Sequence, residues 1–421
     1  LRFRGPGSEQ VHRYRLEAKS DDPGHARGFD SSDAIYLITP DRFANGDPSN
    51  DSIDGMADTV NRSDKDGRHG GDIEGIRDSL SYIKEMGFTA IWLNPVLEND
   101  VPAVSYHGYG ATDFYRVDPR YGSNEEYREL VQQAKSMGIG TIMDMIVNHT
   151  GETHWWMDDL PTPDWINMAE NPQVTSHQRY VNQDPHVSEA DKRAYSDGWF
   201  VVPGMPDLNQ RNPLLADYLT QNALWWIEYL GLAGIRMDTY PYPDKHYMAE
   251  WTRRVMLEYP EFNIVGEEWS GNPATVAYWQ RGQSNLDGYE SWLPSLMDFP
   301  LQEALRLALT TEDGEAQWKR IIDTCAALDI RHMLYTVRNE DIALQEDASD
   351  NWHWEHLLWL NQGIQIRKNQ WDPRTDELPA KTRELLKYAE SKNVKLMAYV
   401  YPTLAFEHNE EFLTTRTAKN P

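Results

Sequence analysis

The chain has 421 residues, 40% of them apolar and 11% aromatic, with 16 tryptophans. This excludes a disordered polypeptide and suffices for one large barrel or two to three ordinary domains. The formal net charge of −27 argues against nucleic acid or an anionic membrane as partner, and suits a neutral or cationic ligand, a salty milieu or bound Ca²⁺.

The single cysteine, Cys325, rules out an internal disulfide. No apolar run reaches the length of a membrane span. The opening "LRFRGPGSEQ" has neither an initiator Met nor an apolar signal region, so a mature form or a fragment is expected. An extracytoplasmic address, periplasmic or secreted, is the expectation for localisation.

In chain order, strand-like runs alternate with amphipathic helical stretches. "AIYLITP" (34–40) precedes a helix over 73–87 and then "AIWLNP" (90–95). A helix over 124–138 leads to "TIMDMIVNH" (141–149), and an irregular Trp- and Pro-rich insertion follows, from 150 to about 205. Helices over 213–231 and 245–258 flank "GIRMDT" (234–239), and "FNIVGEEW" (262–269) and "LPSLMDF" (293–299) come next. "HMLYTV" (332–337) and "VKLMAYVYP" (394–402) complete eight strands. Gly87, Gly138 and Gly231 close helices before strands. This α/β alternation predicts a (β/α)₈ TIM barrel: an N-terminal segment 1–30, barrel 31–149, inserted domain 150–205 after strand three, and barrel 206–421, atypical from about 325. A doubly wound sheet would have to absorb more strands than usual. Reactive groups of a barrel lie at strand C-terminal ends. Asn94, Asp144, Asn148, His149, Arg236, Asp238, Glu267, Glu268 and Asp298 fall at such ends.

Arg236 and Asp238 are two apart in a strand, so both side chains share one face. A buried ion pair is a poor device for stability alone, which suggests an aimed, ionised carboxylate. Glu267 ends the next strand. Retaining glycoside hydrolysis needs two carboxyls about 5–5.5 Å apart, one as nucleophile and one as acid/base. Arg236 is expected to keep Asp238 ionised, and Glu267, beside Trp269, to hold a proton more tightly. On spacing alone, a salt bridge plus a solvated glutamate reads equally well. "NGDPSND" (45–51) offers oxygen ligands Asn45, Asp47, Asn50 and Asp51 at spacing Ca²⁺ tolerates, or it is simply a polar turn.

"DMIVNH" (144–149), "GIRMDT" (234–239), "IVGEEW" (264–269) and "MPDLN" (205–209) resemble, in order, signature regions of the α-amylase family of glycoside hydrolases. The resemblance covers residues 30 to 320 and is nearest to the neopullulanase and cyclomaltodextrinase branch. It implies Asp238 as nucleophile, Glu267 as general acid/base, Arg236 as orienter of the nucleophile and His149 as a sugar ligand. Asp144 and Asn148 would brace Arg236 and the inserted domain. "SYHGYGATDFYRVDPRYG" (105–122) is similar to the family's loop after strand two, where Tyr109 would stack under the reactive sugar and His107 would reach its hydroxyls. The calcium loop of that branch resembles 45–51, and by that likeness the Gly70 carbonyl and Asp72 complete a structural Ca²⁺ site. Tyr240, in "TYPY", could be a stacking platform for leaving-group sugars or ordinary packing.

The family's Asn-His-Asp region is missing; the nearest candidate, "RNED" (338–341), offers Asp341 as third carboxylate, with Glu340 in place of the histidine. The expected activity is retaining hydrolysis of α-1,4-glucans such as maltooligosaccharides, starch, pullulan or cyclodextrins. The alternative is an amylase-like glucan-binding protein impaired in catalysis. In both cases the expected partner is an α-glucan, without nucleic acid or membrane insertion.

Overall fold

The computed structural model describes residues 2–5, 7–11, 18–22, 24–303, 319, 322–323, 332–337, 365–367, 370–372 and 380–400. Its centre is a parallel sheet of six strands: β1 (Ile35–Ile38), β2 (Ala90–Leu93), β3 (Gly140–Met145), β4 (Gly234–Met237), β5 (Ile264–Gly266) and β6 (Ser295–Leu296). They pair strictly in chain order. A further parallel pair, β7 (His332–Val337) with β8 (Lys395–Val400), sets β8 beside β1. The eight strands therefore run in the cyclic order of a (β/α)₈ barrel. Both C-terminal runs expected to be strands are strands.

The longer described helices are α1 (Ile73–Asp78), α2 (Leu80–Glu85), α3 (Asn124–Ser136), α4 (Glu189–Ser196), α5 (Pro213–Leu230), α6 (Lys245–Glu258), α7 (Pro273–Ala277) and α8 (Ala380–Ser391), of which α4 belongs to the insertion after β3. One helix was expected over 73–87; two form, because the Ser79 hydroxyl bonds back to the Gly75 carbonyl at 2.8 Å and competes with the ladder. The expected helix-closing glycines do adopt left-handed backbone, with φ of 90° at Gly87, 76° at Gly138 and 72° at Gly231.

The core lies between sheet and helices. Ile38, Ile91, Met143, Ile235 and Ile264 fill the strands, and Trp226 of α5 and Trp251 of α6 are fully buried against them. The Trp226 indole and the Asn222 amide both donate to the Phe114 carbonyl, at 2.9 and 2.6 Å, fastening α5 to the loop after β2. None of the described helices is long and apolar enough to cross a membrane.

The insertion over 150–205 leaves β3 and returns through "MPDLN". His149 bridges Asp207 and Ile166 bridges Leu208, both antiparallel. The amide of Thr150 donates to the Pro206 carbonyl and that of Leu208 to the Asn148 carbonyl, so entry and exit are stitched at the end of β3. Within the insertion only α4 and two short 3₁₀ turns are regular.

At the start of α3 the Ser123 hydroxyl accepts from the Glu126 amide while the Glu126 carboxylate accepts from the Ser123 amide, a capping box. Ser123→Ala should cost about 1 kcal/mol, read as a lower urea midpoint at unchanged slope.

Candidate active site

Register fixes the site. Asp144 of β3 stands directly opposite Arg236 of β4, and beyond the ladder the Asp238 amide donates to the Met145 carbonyl and the Glu267 amide to the Met237 carbonyl. Three successive strands thus deliver three carboxylates to one height. The Arg236 guanidinium gathers them: Nη1 donates to Asp144 Oδ1 at 2.7 Å and to Asp238 Oδ1 at 2.8 Å, and Nη2 donates to Glu267 Oε1. Thr239 adds its hydroxyl to Asp238 Oδ2 at 3.1 Å and its amide to Glu267 Oε2 at 3.0 Å. The Arg236 side chain is 5% exposed and those of Asp238 and Glu267 are 8% and 11%, so the whole cluster is buried, the glutamate least.

Asp144 is the base of this arrangement. Its Oδ2 accepts from the Trp92 indole and the Tyr109 hydroxyl, each at 3.0 Å. The Tyr109 hydroxyl accepts in turn from Asn94, and Asn94 from the Thr39 hydroxyl, both at 2.7 Å. Burial pushes the Asp144 carboxyl up to about 7; Arg236 opposes the rise, and repulsion from Asp238 and Glu267 adds to it. The ends of β1 to β5 are therefore joined by one polar network.

His107 and Tyr109 arrive on the loop after β2. Gly108 between them has φ of +82°, and a Cβ there would lie 2.1 Å from the Pro95 carbonyl oxygen, so only glycine permits the turn. The Tyr109 amide donates to His107 Nδ1 at 2.9 Å, which places the ring proton on Nε2. His149 is 1% exposed. Its Nε2–H donates to the Tyr109 carbonyl and its Nδ1 accepts from Asn148. Both nitrogens of the expected sugar ligand are thus engaged by protein, and its present role is to hold the Tyr109 loop. Burial lowers both imidazoles to about 4, with His149 adding to the effect on His107.

Tyr240 is corrected by the structure. It is fully buried, edge-on to Trp279 with centroids 5.7 Å apart, and it is packing rather than a sugar platform. Asp341, with Asn339 and Glu340, lies outside the described residues. Two groups without an assigned role belong to the site's surroundings: Glu268, fully buried behind Glu267, and Arg179 of the insertion, 3.3 Å from it. The consecutive Glu267 and Glu268 at a strand end were the signal for Glu268, since neighbours in a strand face opposite ways.

Of the residues of the expected Ca²⁺ site, Asn45, Asp51 and Gly70 lie together. Asn45 donates to Asp51 Oδ1 at 2.5 Å, and Arg62 to Asp51 Oδ2 at 2.9 Å. Gly70, at φ +81°, lies so close that a Cβ would meet Asp51 Oδ1 at 2.3 Å. Asn50 Oδ1 is buried without a partner, an acceptor that a hard cation would satisfy. Asp47 Oδ1 is engaged by Ser49. Asp72 caps α1 and accepts from the amides of Gly46, Asp47 and Gly75, so here it braces the loop instead of facing a ligand. Among the described residues no group of three His, Cys, Asp or Glu forms a metal cluster, and the fit rests on amide and carbonyl oxygens.

A family model for the alpha-amylase catalytic domain matches residues 37–356. The chain belongs to the α-amylase family. It is 33% identical over 280 residues to the beta/alpha-amylase of Paenibacillus polymyxa, covering 66% of this chain and 21% of that protein. It is 31% identical over 278 residues to a cyclomaltodextrinase of Thermoanaerobacter pseudethanolicus, with coverages of 64% and 43%. It is also 33% identical over 237 residues to neopullulanase 2 of Thermoactinomyces vulgaris, with coverages of 56% and 38%. The chain spans less than half the length of each of these relatives. Among solved structures, the α-amylase of Geobacillus thermoleovorans in complex with acarbose matches with TM-score 0.59 and 28% identity, over 86% of this chain and 78% of that one. An Anoxybacillus α-amylase matches with TM-score 0.61 and 27% identity, over 86% and 79%. The barrel and the neopullulanase-like branch expected from the sequence are those of this family.

The lowered imidazoles have a thermodynamic consequence. A group that binds its proton less tightly when folded stabilises the protein fully above its unfolded value of 6.5, and that stabilisation is lost as pH falls through about 4. For His149 the loss from pH 7 to 4 is roughly 3 kcal/mol. His149→Gln should show a shallower decline of unfolding free energy over that range; an unchanged slope would place the titration elsewhere.

Proposed function

We propose that the protein is a retaining hydrolase of α-1,4-linked glucans, acting by double displacement through a covalent glucosyl-enzyme. The observation that carries this is the attachment of Asp238 and Glu267, from adjacent strand ends, to a single guanidinium. Retaining hydrolysis uses two carboxyls about 5–5.5 Å apart, and sharing one guanidinium is what keeps this pair near each other. The relatives named cyclomaltodextrinase and neopullulanase, and the α-amylase solved with acarbose, support an α-glucan as the substrate class.

In the first step an Asp238 carboxylate oxygen forms a bond to the anomeric carbon while the glycosidic C–O bond breaks and Glu267 gives its proton to the leaving oxygen. In the second, Glu267 takes a proton from water, and that water displaces Asp238. The nucleophile must be ionised and the acid protonated. Among the three carboxyls that share Arg236, the one pushed up, to about 7, is the buried Asp144; the proton on Glu267 is part of the proposed reading. Arg236 fixes Asp238 Oδ1, leaving Oδ2 with the Thr239 hydroxyl. The His107 Nε2–H is a neutral donor for a sugar hydroxyl, and the half-buried Tyr109 ring offers an apolar face to the sugar.

Asp238→Asn and Glu267→Gln should each lower maltooligosaccharide turnover by roughly 10²–10⁴-fold or more, measured at a temperature where circular dichroism shows each variant folded. Product analysis on starch, pullulan and cyclodextrins would define the linkage cleaved. Turnover retained in both variants would remove the assignment, and binding without turnover by the wild type would make this a glucan-binding protein.

We also propose a structural Ca²⁺ held by Asn45, Asn50, Asp51 and the Gly70 carbonyl, with Asp72 steadying the loop amides behind them. Such an ion would satisfy the buried Asn50 Oδ1 and would share Asp51 with Arg62. A ligand bound only by the folded state at about 100 times its Kd adds roughly 2.7 kcal/mol. Excess chelator should therefore lower the melting temperature by a few degrees, and Asn50→Ala should abolish that response. A melting curve indifferent to chelator in metal-loaded protein would refute the site.

A further inference from the structure

The carboxylate next to the proposed acid/base has no part in the chemistry described above. Glu268 is completely buried, and its Oε2 accepts from the Trp279 indole at 2.9 Å. Its Oε1 has no hydrogen-bond partner and faces Arg179 Nε at 3.3 Å, which likewise lacks one. Each atom is the other's compensation for burial. Burial pushes the Glu268 carboxyl up to about 7 and Arg179 opposes the rise; the charged form therefore depends on this partner, which ties together the two segments that carry them.

Those segments are far apart in the chain. Arg179 opens the 3₁₀ turn Arg179–Asn182 of the insertion, whereas Glu268 follows Glu267 at the end of β5. The same guanidinium donates to the Trp269 carbonyl and, at 3.4 Å, to the Tyr242 hydroxyl. It therefore grips the backbone on the far side of Glu268 and an aromatic on the loop after the Asp238 strand. Asn182, at the other end of the turn, donates to the Pro241 carbonyl at 2.9 Å and accepts from Lys245 at 2.9 Å. One turn of the insertion is thereby fastened to both loops that carry the reacting carboxylates.

We propose that Arg179 and Glu268 form a clasp that locks the inserted domain onto the end of β5 and thereby sets the position of Glu267. Both are positioning residues: neither contacts the reacting atoms, and both act through the backbone of 267–269. The inference rests on Glu267 being the acid/base, and its test separates the two claims. A displacement of about 1 Å at a reacting group can cost on the order of 10²-fold in rate. Substrate contacts made elsewhere are untouched by the clasp.

The test compares wild type with Arg179→Ala, Glu268→Gln, the double variant and Arg179→Lys, by steady-state kinetics on a maltooligosaccharide and by amide hydrogen exchange. Each single variant should lower kcat about 10- to 100-fold with little change in KM, and the double variant should be no worse than the poorer single. Arg179→Lys, which keeps the charge, should recover much of the loss. Exchange should quicken at 177–183 and 264–269 together. Arg179 is partly exposed, so its replacement tests the clasp even where Glu268→Gln folds poorly. Unchanged kcat, additive losses, or faster exchange confined to 177–183 would overturn the proposal. If the wild type cleaves no glucan, the hydrolase reading fails alone, and joint exchange at the two segments still decides whether the clasp exists.

Discussion

One guanidinium organises this molecule's functional end. Arg236 is buried, and a lone buried cation would carry a desolvation penalty of several kcal/mol. It is tolerable because Asp144, Asp238 and Glu267 surround it. The converse holds for the acids, since three carboxylates at one height of a barrel would repel each other without it. Neither side of the arrangement is stable alone. That mutual dependence makes strand register a functional quantity: a slip of one residue between β3 and β4 would turn Arg236 away from Asp144.

Around this pivot the loops are held by short polar links rather than by regular structure. The loop after β2 is anchored through Tyr109 to Asp144 and Asn94, and His149 supports its carbonyl from the insertion side. The insertion itself has little secondary structure. It is positioned by being sewn to the end of β3 at 149–150 and 206–208 and by Arg179 and Asn182 at the other side of the opening. An irregular segment can therefore frame a site as firmly as a helix does, provided its backbone groups find partners.

Much of this was legible in the sequence. Periodicity and helix-closing glycines gave the alternation of the barrel, and the i,i+2 spacing of Arg236 and Asp238 put both on one face because strands alternate by two. Local pattern could not say that Ser79 splits a helix, since the break depends on its hydroxyl choosing the Gly75 carbonyl. Nor could it separate the two readings of Tyr240, because its burial is decided by Trp279, a residue 39 positions on in another loop. Arg179 was invisible for the same reason: its partner is 89 positions away, and nothing periodic marks an irregular insertion. Asp72 looked like a ligand by its likeness to a calcium loop, yet its distances to three amides make it a cap. Residues that act through the ladder are readable from spacing; residues that act across loops are not.

The neutral state of His107 and His149 bears on what can enter. Both imidazoles are held uncharged by burial; His149 spends both nitrogens on protein, so of the two His107 is left as a donor, and it adds no positive charge. If the site takes a saccharide as proposed, a uronic acid or sulfated sugar would meet three acids and a single cation already engaged with them. An uncharged sugar carries no such handicap. On the proposed reading, discrimination against anionic polysaccharides follows from three acids around one cation, with two neutral rings adding nothing to offset them.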